Sequence, residues 1–287
     1  MPTKFHKTEI LWSYNNVSSI NMLEDKKIAI MITSCDAYKD CWKPMICSFE
    51  NYWPDREWPM YIVTNYEEDD IPNVTFIKVG DDKRCWCNLA HMGLDVIGAD
   101  YIIFFQEDYW LKKRVDNSAI KAHMKHVLDN DLDYLKIEED MPRDKYRIGN
   151  SDYSENKPNI RYSINTAIAI WKVATMKPLM MDGWNGWYYE RNIIPYIKEH
   201  HIQLKSETLH SSVVNEKGIW TIQNGAIVRG VWTHPAVEFL KENDMEYLIS
   251  QRPIMGKLTN FLYTKRLGHK YINWGLIWVL KKIKKNW

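Results

Sequence analysis

Neither GxGxxG nor GxxxxGK[ST] occurs anywhere in this sequence. Their absence removes the two glycine-rich loops with which many nucleotide-binding folds cradle phosphate on backbone N–H groups. Cysteines are few, and the five (Cys35, Cys41, Cys47, Cys85 and Cys87) include no CxxC pair. Cys85-Trp86-Cys87 is too tight for an ordinary pair of zinc ligands, and no second pair lies nearby to complete a site. An odd, scattered set of this kind is expected to be reduced thiols in a cytosolic protein. No apolar run reaches the length of a membrane span. The opening "MPTKFHKTEILWSYNN" lacks the apolar core of a signal peptide. Internal repeats and low-complexity stretches are also missing.

Net charge is nearly absent, at +1 over 287 residues, but it is unevenly spread. Residues 257–287 hold eight Lys and Arg and no Asp or Glu, so the first 256 residues carry −7. An acidic body with a basic tail argues against a nucleic-acid binder, which would spread cations over a face. Hydrophobic content of 45% and charge of 26% are ordinary for a chain with a real core. Aromatic content is high instead, with 14 Trp and 17 Tyr. These side chains build cores, and their flat faces with a polar tip also suit sugar rings and membrane interfaces.

Residues 1–25 read as a loose lead-in. "KKIAIMITSCD" (Lys26 to Asp36) is a continuous apolar run and predicts a strand buried on both faces. Cys41 to Pro54 has helical spacing and a proline stop. Strands are expected at Trp58 to Asn65 and Val74 to Asp82, then a helix at Trp86 to Ala99 with Leu89, Met92 and Val96 on its apolar side. "DYIIFFQEDYWL" (Asp100 to Leu111) predicts a fourth strand. A helix at Ser118 to Asn130, a strand at Asp133 to Asp140, a mobile loop at Asp140 to Asn159 and a strand at Ile164 to Lys172 follow. A short helix begins at "VATMKPLMM", and "DGWNGWYYERN" (Asp182 to Asn192) is a Gly- and Trp-rich turn running into another helix. The alternation predicts an α/β fold with a mostly parallel sheet flanked by helices.

Ligands of such sheets bind beyond the carboxyl ends of the strands. Here the first strand ends in Thr33, Ser34, Cys35 and Asp36, the third in Asp81 and Asp82, the fourth in Gln106, Glu107 and Asp108. Adjacent carboxylates at a buried strand end are costly unless something positive meets them. Mg²⁺ or Mn²⁺, bound by one or two carboxylates with substrate phosphates, would do so.

In order and spacing, residues 26 to 187 resemble the nucleotide-sugar glycosyltransferases of the GT-A fold. The resemblance rests on "KKIAIMITSCD", "CWKPMICSFENYWP", "WPMYIVTN" and "RCWCNLAHMGLDVIGADYIIFFQEDYWL". It implies a Rossmann-like half, about 26–115, that binds the nucleoside, and an irregular acceptor half, about 116–256. Together these make one catalytic domain over 1–256, with 257–287 as a tail. The family's DxD-type motif, which holds a metal on the diphosphate, falls on Gln106, Glu107 and Asp108. Its first position departs from Asp, which bears on metal dependence. Thr33 and Asp36 would meet the nucleoside, Asp81 or Asp82 the base or ribose, and Arg84 a phosphate. Arg229, in "GAIVRGVWTHP", is a further donor-site candidate, and His234 a late metal ligand beside Asp108. Glu190 would be the general base of an inverting transfer, with Asp182 the second choice. Trp184, Trp187 and Tyr188 would stack on acceptor sugar.

The tail "GHKYINWGLIWVLKKIKKNW" has apolar residues at near-helical spacing, interleaved Trp and a run of Lys. It predicts a basic amphipathic helix lying on an anionic bilayer surface. The expected protein is therefore cytoplasmic and peripheral on the inner face of the membrane, with a glycan or lipid-linked glycan as acceptor. Two rival readings use the same features. One is a nucleotidyltransferase acting on a sugar phosphate, which would usually carry a Gly-rich loop that "TSCDAYKDCW" lacks. The other is a non-catalytic carbohydrate- or membrane-binding protein of the same fold.

Overall fold

The computed structural model describes residues 26–80, 85–138, 151–156, 162–210, 213–222 and 225–256. The chain divides into two compact units: residues 1–107 with 111–220, and residues 108–110 with 221–287.

In the first unit the apolar run becomes β1 (Ile28–Thr33), and all six of its residues are buried. Such a strand must be covered on both faces, as in the middle of a parallel sheet. The order continues α1 (Lys39–Tyr52), β2 (Met60–Thr64), β3 (Thr75–Lys78), α2 (Trp86–Ile97), β4 (Tyr101–Gln106), α3 (Asn117–Asp129), β5 (Tyr134–Lys136), β6 (Tyr153–Glu155) and β7 (Ala169–Lys172). Then come α4 (Val173–Met176), α5 (Gly186–Glu199), β8 (Ser206–Leu209) and α6 (Val214–Lys217). Eight strands form one sheet in the order β3-β2-β1-β4-β7-β5-β8-β6. β1 runs parallel to β2 and β4, β2 to β3, and β5 to β8. Only β7, between β4 and β5, and the edge strand β6 run against them. The α/β architecture with a mostly parallel sheet flanked by helices is as expected.

Caps set the helix ends. Asp116 accepts from the N–H groups of Ser118 (2.9 Å) and Ala119 (3.3 Å) at the start of α3. Asn185 accepts from Tyr188 N–H (2.9 Å) at the start of α5, and Gly98 closes α2 in the left-handed region at φ 60°.

The apolar side of α2 is not the expected one. Cys87, Leu89, Ala90, Gly93 and Leu94 are buried, whereas Met92 and Val96 are exposed, Val96 to 66%. Gly93 is the reason. A Cβ there would lie 2.5 Å from a methyl of Val63, so α2 rests on β2 at a point where only glycine fits. The expected strand from Ile164 is also shorter, because residues 163–168 form bends and only Ala169–Lys172 pairs. Within the stretch read as a mobile loop, Tyr153–Glu155 is the edge strand β6, and residues 140–150 and 157–159 lie outside the described residues.

The outer end of this sheet is held by a buried imidazole. His123, 1% exposed, has Nδ1 3.0 Å from the Tyr153 hydroxyl on β6 and Nε2 2.9 Å from the Lys217 carbonyl on α6. The carbonyl can only accept, so Nε2 donates and Nδ1 accepts from the tyrosine. Burial lowers the His123 pKa. The unfolded chain therefore binds the extra proton first as pH falls. Stability is full above the ordinary histidine value and is lost as pH drops through it toward the lower folded value. In the His123→Gln variant, melting temperature is expected to depend less on pH between about 7 and 5. An equally steep decline in the variant would place the sensitivity elsewhere.

The second unit contains β9 (Ile227–Val228), β10 (Val231–Trp232), α7 (His234–Glu242) and a 3₁₀ segment, Glu246–Gln251. β9 and β10 pair as a hairpin whose two turn residues, Arg229 (φ 54°) and Gly230 (φ 78°), are both left-handed, a type I′ turn. Its core packs Trp110 against Trp232 (5.7 Å) and Phe239 (5.3 Å) with the rings tilted. Among the described residues no helix is long and apolar enough to cross a membrane. The tail, residues 257–287, lies outside the described residues.

Candidate active site

The carboxyl ends of β1, β2 and β4 are tied to one another in the first unit. Thr33, at the end of β1, is fully buried. Its hydroxyl donates to the Phe105 carbonyl (3.3 Å) and accepts from Trp86 Nε1 (3.2 Å). Its place is thus beneath the surface that was expected to meet a nucleoside. Asp36 is half-buried and accepts 3.2 Å hydrogen bonds from the N–H groups of Asn65, Tyr66 and Glu67, which join the ends of β1 and β2. Tyr66, passed over in the sequence, is 49% exposed here, and its hydroxyl donates to the Gly80 carbonyl (2.9 Å). Asp81, Asp82 and Arg84 lie outside the described residues.

At the end of β4 a side-chain chain begins that the sequence did not reveal. Gln106 Nε2 donates to the Thr166 carbonyl (3.1 Å). The Thr166 hydroxyl (2.6 Å) and N–H (3.3 Å) both donate to Oε1 of Glu190. Sheet register explains the meeting. β7 pairs with β4 antiparallel, Phe104 facing Ala169 and Ile103 facing Ile170. Continuing that register by two residues brings 166 and 167 beside Gln106. Glu190 is half-buried in the second turn of α5, on the side of the buried Ile193 and Ile194. Among the described residues nothing donates to its second oxygen, Oε2.

Aromatic rings surround the start of α5. A Cβ on Gly186 would meet the Trp86 ring at 3.7 Å, and Trp86 packs against Tyr189 (5.2 Å) and edge-on to Phe104 (5.7 Å). Tyr189 is 1% exposed, and burial drives its hydroxyl well above the usual tyrosine range, so it stays neutral beside Glu190. Trp187 and Tyr188 face outward, 71% and 51% exposed, and Trp184 is half-buried edge-on to Tyr188 (5.0 Å) and Tyr196 (5.9 Å). Asp182 is exposed and accepts from Asn88 Nδ2 (2.7 Å), while Asn88 Oδ1 accepts from Gly183 N–H (3.0 Å). The Trp184 carbonyl accepts from Cys87 N–H (3.0 Å). The turn before α5 is therefore pinned to the start of α2. Glu107, the residue after β4, is half-buried.

The remaining candidates belong to the second unit. The half-buried Asp108 has its carbonyl bonded to Ala226 N–H (2.7 Å), and its Oδ2 lies 2.5 Å from where a Cβ of Gly225 would be. Arg229 is exposed in the hairpin turn. His234 opens α7, with Nε2 2.8 Å from the Met255 carbonyl. Only Nδ1 of that imidazole remains for a metal. Among the described residues no three His, Cys, Asp or Glu side chains converge as a metal-binding group. A single carboxylate such as Asp108 suits a Mg²⁺ or Mn²⁺ that takes its other ligands from substrate phosphates.

No protein-family model matches the sequence, and no curated protein matches it. Structural likenesses exist and are distant. The chain is similar to residues 1–349 of S. aureus TarS at 10% identity, with a TM-score of 0.48 over 69% of this chain and 60% of that one. It is similar to a cytidylyltransferase from Leptospira borgpetersenii at 13% identity and a TM-score of 0.41, covering 80% of this chain and all of that one. The galactosyltransferase LgtC, solved with donor and acceptor sugar analogues, is 12% identical at a TM-score of 0.35, covering 79% of this chain and 84% of that one. The chain thus spans less than two thirds of the TarS structure it matches.

Proposed function

We propose that this protein is a glycosyltransferase that moves a sugar from a nucleoside diphosphate sugar to a glycan or lipid-linked glycan, with inversion. The observation that carries this reading is the setting of Glu190. It is a half-buried carboxylate with one oxygen fixed by two donors of Thr166 and, among the described residues, no donor to the other, on the same helix as the outward-facing Trp187 and Tyr188. Aromatic faces of that kind suit the apolar faces of sugar rings. Glu190 Oε2 takes the proton of the acceptor hydroxyl as its oxygen bonds to the anomeric carbon. The bond from that carbon to the diphosphate breaks at the same time, and the nucleoside diphosphate leaves with the electron pair. Asp108, next after Glu107 in the chain, would hold a divalent cation whose charge offsets that of the departing diphosphate. The basic tail would keep the enzyme at the cytoplasmic face of an anionic membrane, where a lipid-linked acceptor is presented.

The test is a thermal-shift screen of UDP-, GDP-, CMP- and dTDP-sugars with and without Mn²⁺, followed by assay of nucleotide release with and without glycan acceptors. At least one nucleoside diphosphate sugar is expected to raise the melting temperature, since a ligand bound only by the native state stabilises it. Acceptor is then expected to accelerate release of the nucleotide. Binding without any turnover would favour a carbohydrate-binding protein, and release of pyrophosphate from a nucleoside triphosphate with a sugar phosphate would favour a nucleotidyltransferase.

A further inference from the structure

We infer that Gln106 and Thr166 form a positioning relay that fixes the Glu190 carboxylate, so that the end of β4 orients the base. This rests on the assignment of Glu190 as base. Thr166 is 4% exposed and uses its hydroxyl and its N–H on the same oxygen, Oε1. Two donors on one oxygen fix both the position and the plane of a carboxylate, and they aim Oε2 away from Thr166. The arrangement survives proton transfer. A proton arriving on Oε2 leaves Oε1 an acceptor, so both Thr166 donors keep their partner in the ionised and neutral states.

Thr166 and the two residues after it are each held. Gln106 donates to its carbonyl (3.1 Å). The following N–H of Ala167 donates to Asn165 Oδ1 (3.1 Å), and that of Ile168 to Glu138 Oε2 (3.1 Å). These bonds give the bend at 163–168 its shape and place both Thr166 donors on one side. They also explain the residue at position 106. An aspartate there would be one methylene shorter and, ionised, could only accept, so it could not bond to a carbonyl. Glutamine supplies both the reach and the N–H. The first position of the QED stretch thus works through the base, and Thr166 is a positioning residue that need not touch substrate.

The experiment measures nucleotide release, using whichever nucleotide sugar of the screen stabilises the protein most, in Thr166→Val, Thr166→Ser, Gln106→Glu, Glu190→Gln and the double variant Thr166→Val/Glu190→Gln. Thr166→Val keeps the shape and loses the hydroxyl. Its kcat is expected to fall on the order of 10- to 100-fold with donor KM little changed, because misalignment of a base acts on the transition state. Thr166→Ser restores the donor and is expected to restore kcat. Gln106→Glu sets an acceptor against a carbonyl and is expected to behave like Thr166→Val. In the Glu190→Gln background, Thr166→Val is expected to add nothing, because it acts through a base already gone. Should Thr166→Val not fold, Gln106→Glu and Thr166→Ser carry the comparison. Wild-type kcat in Thr166→Val and Gln106→Glu with Glu190→Gln inactive would overturn the relay and leave the base standing. Full additivity in the double variant would also overturn the relay. Wild-type turnover in Glu190→Gln would overturn both.

Discussion

Glu190→Gln is expected to lower kcat by about 10²–10⁴-fold while leaving the affinity for the donor unchanged. A general base contributes about that much to a rate, equivalent to about 3–5 kcal/mol of transition-state stabilisation. The substitution is nearly isosteric. Its amide oxygen can still accept from the Thr166 hydroxyl and N–H that now bond to Oε1, so the melting temperature is expected to stay close to that of the wild type. The proton acceptor alone is removed, and because the proton moves only in the chemical step, the loss falls on kcat and not on donor KM. Asp182→Asn is the matched control. Asp182 is exposed and accepts from Asn88 at the turn before α5, a bond that the amide oxygen of Asn can still accept, so this substitution is expected to cost far less turnover. The reverse ranking, with Glu190→Gln active and Asp182→Asn dead, would transfer the role to Asp182.

How far the sequence discloses this arrangement depends on the range of the interaction that fixes each part. β1 and β4 were legible because burial on both faces demands continuous apolar runs, and "IAIMIT" and "YIIFFQ" are such runs. α2 was legible as a helix but not in its orientation. Its apolar residues define a plausible face through Met92 and Val96, and the contact at Gly93 with Val63 selects another. Residues 164–168 looked like strand because Ile164, Ala167 and Ile168 are apolar, and all three are indeed buried. Their backbone is committed elsewhere: the N–H groups of 166, 167 and 168 go to Glu190, Asn165 and Glu138. Side chains that capture backbone groups compete with sheet pairing, and a pattern of hydrophobicity carries no trace of them. β8, "SETL", failed for the opposite reason, since only two of its four residues are buried. Glu190 was a candidate only through the resemblance, which points to a carboxylate behind a Gly- and Trp-rich turn. Its partner Thr166, 24 residues upstream, is set by the antiparallel register of β7 on β4 and appears only in three dimensions.

Asp108→Ala is expected to reduce transfer by at least about 10²-fold, the scale seen when one group that stabilises developing charge is removed. The setting of this carboxylate allows a sharper test than the single substitution. Gly225 lies at φ 80°, in the left-handed region, and a Cβ there would come within 2.5 Å of Asp108 Oδ2. Gly225→Ala therefore does two things. It imposes backbone strain of about 1–2 kcal/mol, and it drives the Asp108 carboxylate from its position. The first effect lowers the melting temperature and is indifferent to Asp108. The second vanishes once residue 108 is Ala, because the clashing oxygen is gone. Stability losses in the Asp108→Ala/Gly225→Ala double variant are accordingly expected to be less than additive, by about 0.5–3 kcal/mol for groups in direct contact. Transfer should behave in parallel: Gly225→Ala lowers it in the wild-type background and adds little in the Asp108→Ala background. Chelation separates the two ways in which Asp108 can serve the diphosphate. If it holds a cation, EDTA reproduces the Asp108→Ala defect and added Mn²⁺ repairs the wild type but not the variant. If it contacts the donor without a metal, EDTA changes nothing while Asp108→Ala remains inactive. Undiminished transfer in Asp108→Ala would sink both.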